Sequence, residues 1–247
     1  NTNNGTDGGG VYLNGGTFHM SGGSIIGNSS GRCGGGVYVD NNSTFTLSGS
    51  ASITGNWTNG SGGGVYVSGG IFDMKSGTIT GNKADTSGGG VHVGWSGTFH
   101  MSGGSITGNN VKKNNGGGLN LASGSFTVSG SASITGNVKD GSKSNGSSVY
   151  TGGTTNNVGL NVDSSITIGD GLTGTARIGV ANEPSESNPV KIATGATGDL
   201  SVYKDIFTPD VSDKGYEVTK DGTDLYLSAH QHKWMYALKE GTTDTIT

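Results

Sequence analysis

Apolar residues are scarce for a chain of this length. They make up 30% of 247 residues, too thin a supply for a thick globular core. Cysteine is almost absent, and the single Cys33 cannot close an internal disulfide; cysteine usage therefore leaves the compartment open. Three prolines are too few for a collagen-like helix, which also needs glycine at every third position. No apolar run approaches the roughly 18 residues of a membrane-spanning helix, and the opening residues from Asn1 do not read as a signal peptide. Positive charge is also short, with 14 Lys and Arg against 18 Asp and Glu for a net charge of −4. No overall positive field is available to draw in nucleic acid or an anionic membrane, so neither is expected as a partner.

Glycine is what the chain has in excess, at 51 residues. Gly-Gly-Gly begins at Gly8, Gly34, Gly62, Gly88 and Gly116, at intervals of 26, 28, 26 and 28 residues. A fixed period in this range is the mark of a solenoid, whose narrow core suits the apolar shortage. Each unit holds three short alternating segments, such as Val37-Tyr38-Val39, Phe45-Thr46-Leu47 and Ser52-Ile53-Thr54. Period-two alternation predicts strands.

Aligned units give inward columns of Val11, Val37, Val65, Val91 and Leu119, then five phenylalanines from Phe18 to Phe126, then five isoleucines from Ile25 to Ile134. Stacked as parallel strands about 4.8 Å apart, these place like on like. The expected fold is all-β: a right-handed parallel β-helix, a three-sheet solenoid of about seven coils. Asn28, Asn56, Asn82, Asn109 and Asn137 follow glycine at the same corner of every unit, which predicts an asparagine ladder. After Asn145 the pattern loosens to GSSVYTGG, which puts Val149 in the first column and predicts two further irregular coils with Ile166, Ile168, Ile178, Val190 and Ile192 inward. Tyr216 to Leu227, centred on Asp221-Gly222, predicts a C-terminal β-hairpin cap. The expected division is 1–228 for the β-helix with its hairpin and 229–247 for the truncated start of a following module or linker. Residues 1–7 offer no amphipathic helix, so the first coil at Val11, Phe18 and Ile25 is expected to be imperfectly sealed.

The motifs GGGVYV, GTFHMSGGSITGN and SASITGN resemble the pectate-lyase-like right-handed β-helix repeats of large bacterial surface proteins and adhesins. The resemblance covers roughly residues 8 to 196. The units are also similar to the Gly-Gly repeats of chlamydial polymorphic outer-membrane proteins, although the FxxN element of that group is missing. The tail after His230 resembles short β modules appended to surface proteins of Gram-positive gut bacteria. These resemblances imply an exported, multi-domain parent at the cell surface or outside the cell, with neighbouring domains of the same chain as partners.

Candidate chemistry is sparse. The outward second-strand column His19, Thr46, Asp73, His100, Thr127 places Asp73 beside His100 on adjacent coils, a pair suited to acid–base work or to a plain cross-strand contact. Polysaccharide-cleaving β-helices gather several acidic and basic groups on one face. Asp40, Asp73, Asp85 and Asp140 fall at different places in their units, so no catalytic residue is assigned. His230 and His232 have the spacing of two metal ligands but lack a third, so neither metal nor cofactor is expected. Ser52/Thr54, Thr78/Thr80, Ser105/Thr107 and Ser133/Thr135 flank the inward Ile as hydroxyl columns. Such arrays resemble those on ice-binding solenoids and also suit an ordinary solvated sheet. Tyr12, Tyr38, Tyr66, His92, Asn120 and Tyr150 form an outward aromatic column, fit for stacking on sugars or on one another.

The stretch before each triple glycine varies most between units, and in solenoids such an edge often carries binding. It holds Trp57, Lys83, Asp85, Lys112, Lys113, Lys139 and Lys143. All of these except Lys143, together with Tyr38 and Tyr66, are the expected binding residues for a glycan or host surface protein. The expected role is a non-catalytic stalk or adhesin-like module, with a polysaccharide-processing enzyme and an ice-binding solenoid as alternatives.

Overall fold

The computed structural model describes residues 2–3, 5–183, 189–211 and 214–229. They form an all-β parallel solenoid of about seven coils, consistent with a right-handed β-helix, in three sheets of 7, 13 and 9 strands. A regular coil runs through four strands, for example Val65–Ser68, Ile71–Met74, Thr78–Thr80 and Lys83–Ala84. The aligned columns pair in register: Val65 with Val37 and Val91, Phe72 with Phe45 and Phe99, Ile79 with Ile53 and Ile106. First and third strands join in one 13-stranded sheet because a late strand, Arg177–Val180, serves both, with Ile178 beside Ile134 and Val180 beside Val158.

The apolar shortage is met by concentration, since one file of side chains fills the axis and is buried from Val37 to Ile166, with Ile168 partly buried after it. Phe18, Phe45, Phe72, Phe99 and Phe126 stack with ring centroids 4.8–5.4 Å apart and planes within 13° of parallel. In the first coil Val11, Leu13 and Phe18 are only partly buried, whereas Val37, Val39 and Phe45 one coil on are fully so. Thr2–Asn3 does pair with Ser29–Ser30 at that end.

The asparagine ladder is present, and it runs in one direction. The backbone N–H and Nδ2 of each Asn both donate to Oδ1 of the next, from Asn28 through Asn56, Asn82 and Asn109 to Asn137, at 2.8–3.1 Å. It then continues beyond the repeats. Asn137 donates to Asn157, whose N–H and Nδ2 donate to the two carboxylate oxygens of Asp210 at 2.5 and 2.6 Å. A carboxylate supplies two acceptors for the two donors that the ladder leaves over. Burial raises the Asp210 pKa, and the two Asn157 donors partly oppose that rise.

Beyond Lys139 the register differs from expectation. Val158, not Val149, follows Leu119 in the first column, and Gly159, not Tyr150, follows Asn120. The chain between makes an antiparallel excursion, with Thr154–Thr155 against Val138–Lys139 and a bridge from Ser142 to Thr151. It folds back over the outside of earlier coils, where Lys143 Nζ donates to the Gly81 carbonyl at 2.9 Å and lies 4.6 Å over the Tyr150 ring. The motif GSSVYTGG imitates a repeat locally, but the stack is already occupied at its own level. The C-terminal hairpin forms as expected, Glu217–Asp221 against Asp224–Ser228, and lies antiparallel on Val190–Thr194 at the end of the second-strand sheet.

Candidate functional site

The aromatic column is a tight stack. Centroids of Tyr12–Tyr38 and Tyr38–Tyr66 lie 5.2 Å apart, and Tyr66–His92 lie 4.8 Å apart, all nearly parallel. Parallel strands one coil apart bring identical rings to this spacing, so each ring covers its neighbour. Tyr66 is 7% exposed and Tyr38 half-buried, so of the two expected uses of the column the rings take the one of stacking on one another. Burial pushes the Tyr66 phenol up to about 12. The hydroxyls lean toward the turn between first and second strands of the next coil: Tyr12 donates to Asp40 Oδ2 at 3.0 Å, Tyr38 interacts with Ser68, and Tyr66 with the Trp95 side chain.

His92 ends this aromatic run, 8% exposed, and its Nδ1 has no hydrogen-bond partner among the described residues. Burial holds its pKa near 4, below the usual 6.5. The folded state therefore binds fewer protons than the unfolded one between those values, and stability present above pH 6.5 is lost as pH falls toward 4. This one group accounts for about 3 kcal/mol across that window. His92→Tyr, which restores the ladder residue, is expected to remove most of that acid sensitivity. Urea titrations of both proteins between pH 7 and 4 check it, and equal pH slopes would refute the assignment.

The variable edge is not a loop throughout. It begins with two-residue strands, Ser29–Ser30, Trp57–Thr58, Lys83–Ala84, Asn110–Val111 and Val138–Lys139, stacked as a sheet of their own. Trp57 pairs across Ser29 and Lys83 and is 43% exposed. Lys83 and Asp85 form an ion pair at 3.6 Å, Lys112 and Lys113 are exposed, and Lys139 is half-buried. Trp57 and the lysines thus share one edge, while the tyrosine hydroxyls reach the opposite end of the first strand.

Asp73 and His100 do meet, with Nδ1 to Oδ1 at 2.8 Å in register on the outer second-strand face. An exposed pair of this kind contributes at most about 1 kcal/mol. Among the described residues no three of His, Cys, Asp and Glu converge as a metal site, and no helix is long and apolar enough to cross a membrane. His230 and His232 lie outside the described residues. On the hydroxyl face Ser24 and Ser52 bond at 2.6 Å, but Ile26 is exposed within the column. The 140–153 excursion reaches the adjoining corner at Gly81 and Gly108, through Lys143 and the Tyr150 backbone.

The first-to-second-strand turn escaped the sequence reading. From first-column Val to second-column Phe the chain spans 7, 8, 7, 8 and 7 residues in successive coils, so coils two and four carry one extra turn residue. Those turns are Asp40-Asn41-Asn42-Ser43 and Gly94-Trp95-Ser96-Gly97. The alternation was visible in the aligned repeats; the prominence of Trp95, 75% exposed, was not. No protein-family model matches the chain, and neither a curated protein nor a solved structure matches it.

Proposed function

We propose that this chain is a non-catalytic, stalk-like binding module of an exported bacterial surface protein, with a glycan or a host surface protein as its ligand. The observation that carries this reading is the combination of an invariant core with edges that change chemistry from coil to coil on a stacked backbone. A solenoid of this kind holds side chains at fixed intervals, which favours recognition over a length rather than at one point. Kinship with pectate-lyase-like and adhesin-like repeats belongs to the same proposal and rests on the stacked GGGVYV and SITGN motifs.

At the variable edge, Trp57 supplies contact area and Lys83, Lys112, Lys113 and Lys139 supply positive charge suited to sialylated or sulfated glycans. A glycan-array and host-protein screen tests the reading. For a ligand bound there, Trp57→Ala is expected to remove about 1–3 kcal/mol of binding, and a Lys112→Ala/Lys113→Ala variant to flatten its salt dependence. The protein is expected to leave pectin and alginate uncleaved. Turnover abolished by both Asp73→Asn and His100→Ala would favour a polysaccharide-processing enzyme instead.

A further inference from the structure

The two lengthened turns flank a short one. Asp40-Asn41-Asn42 projects from coil two and Trp95-Ser96 from coil four, while coil three between them turns through Gly69-Gly70. Gly69 has φ +74°, and a Cβ there would collide with the Asn41 side-chain oxygen and approach the Trp95 carbonyl to 3.3 Å. The Asn41 carboxamide thus lies over Gly69 from one side and the Trp95 carbonyl approaches it from the other. The separation of the two lengthened turns, two coil steps of about 4.8 Å, suits a short stretch of polymer laid along the solenoid axis.

The knuckle at Trp95 is built against local preference. Trp95 and Ser96 have φ of +50° and +61°, a conformation that bulky L-residues disfavour and that the neighbouring turns give to Gly15, Gly16 and Gly69 or to Asn42. Ser123 of the next coil pins it, its Oγ accepting from Trp95 N–H and its carbonyl from Ser96 N–H, both at 3.0 Å. The result is an indole held outward on a fixed backbone rather than one merely left uncovered. Retained strain at a rigid, exposed aromatic is a pointer to binding.

We infer that this notch binds an uncharged oligosaccharide, with a pyranose ring stacked on Trp95 and its neighbour held at the exposed Asn41 carboxamide that covers Gly69. This rests on the glycan reading above and moves its site from the Trp57 edge to the opposite end of the first strand. Asp40 is the charged group on the knuckles, which disfavours acidic sugars. Its carboxylate is already engaged by the Tyr12 hydroxyl, Asn41 N–H and Asn41 Nδ2, so it does not form a cation cage with the indole two coils away. Asn41 and Ser96 are exposed and offer the amide and hydroxyl groups that sugar hydroxyls pair with.

The test uses the full chain and the probes cellohexaose, mannohexaose, xylohexaose, a sulfated glycan and choline, followed by calorimetry and tryptophan fluorescence. At least one neutral hexaose is expected to bind. Trp95→Gly is expected to weaken that binding at least tenfold with little change in melting temperature, because the relief of the positive φ offsets the lost contact with the Tyr66 hydroxyl. A purely structural tryptophan would instead lower the melting temperature. Neutral-sugar binding that survives Trp95→Gly but is lost in Trp57→Ala would overturn the notch and keep the glycan reading. So would binding of the sulfated glycan alone. Binding of choline in preference to every sugar, or of no probe at all, would overturn both the notch and the glycan as ligand.

Discussion

Asn82→Ala is expected to destabilise the chain by about 3–5 kcal/mol, because it opens the middle of a buried and directional hydrogen-bond chain. Asn82 is fully buried. Its Oδ1 accepts from Asn56 N–H and Nδ2 at 2.9 and 3.0 Å, and its Nδ2 donates to the Ile53 carbonyl and Asn109 Oδ1 at 3.0 and 2.9 Å. Alanine removes all four bonds. The Asn56 N–H and the Ile53 carbonyl are then left without these partners where water does not reach. Asn82→Asp keeps the acceptor but loses the donor and sets oxygen against Asn109 Oδ1, so it is expected to match or exceed the alanine loss at neutral pH. Urea unfolding followed by circular dichroism measures both. A loss below about 1 kcal/mol for Asn82→Ala would show that the ladder is ornamental to stability.

The larger effect is expected from Gly89→Ala, with the cooperative fold lost or weakened by more than about 4 kcal/mol. A Cβ at Gly89 would meet the backbone carbonyl oxygens of Asn110 and Gly117, the second at 2.5 Å. Overpacking against side chains commonly costs about 1–3 kcal/mol because rotamers yield. Here the opposing atoms are backbone, and their ladder is held by Gly89 N–H to Gly116 O at 2.9 Å and Gly90 N–H to Gly117 O at 3.0 Å. Relief requires the coils to part, which breaks the nearest-neighbour interface that carries a solenoid's stability. Gly5→Ala is the control, since nothing lies within 4 Å of a Cβ there. Similar urea midpoints for Gly89→Ala and the parent would refute the close approach of the coils.

The repeat period, the inward columns and the asparagine corner were legible in the sequence because each is restated in every unit. Stacking in register places Val on Val and Phe on Phe, so one aligned column already fixes a contact. The hairpin at Asp221-Gly222 was legible for a different reason, since a two-residue turn between alternating segments is a local event; its turn residues are Gly222 and Thr223, one position on from the expected centre. The variable edge was legible only as variation. Its two-residue strands carry no periodicity of their own and owe their pairing to the coils above and below.

Three features were decided by the tertiary structure alone. Asp210 ends a ladder that runs through Asn28, Asn56, Asn82, Asn109 and Asn137, and its partner Asn157 lies 53 residues away in sequence, with no motif linking them. Val158 displaced Val149 because an intervening excursion folded outward, and local pattern does not report whether a segment enters the stack or leaves it. The Asn41 side chain and the Trp95 carbonyl come together at Gly69 because their turns are each one residue longer than the glycine turn between them, and only stacking converts that difference in length into contact. Short-range pattern determines which residues face inward, since alternation acts through neighbouring bonds. Which distant segments close the ends and shape the edges depends on coils meeting across long separations, where the energy lies in contacts that no single unit contains.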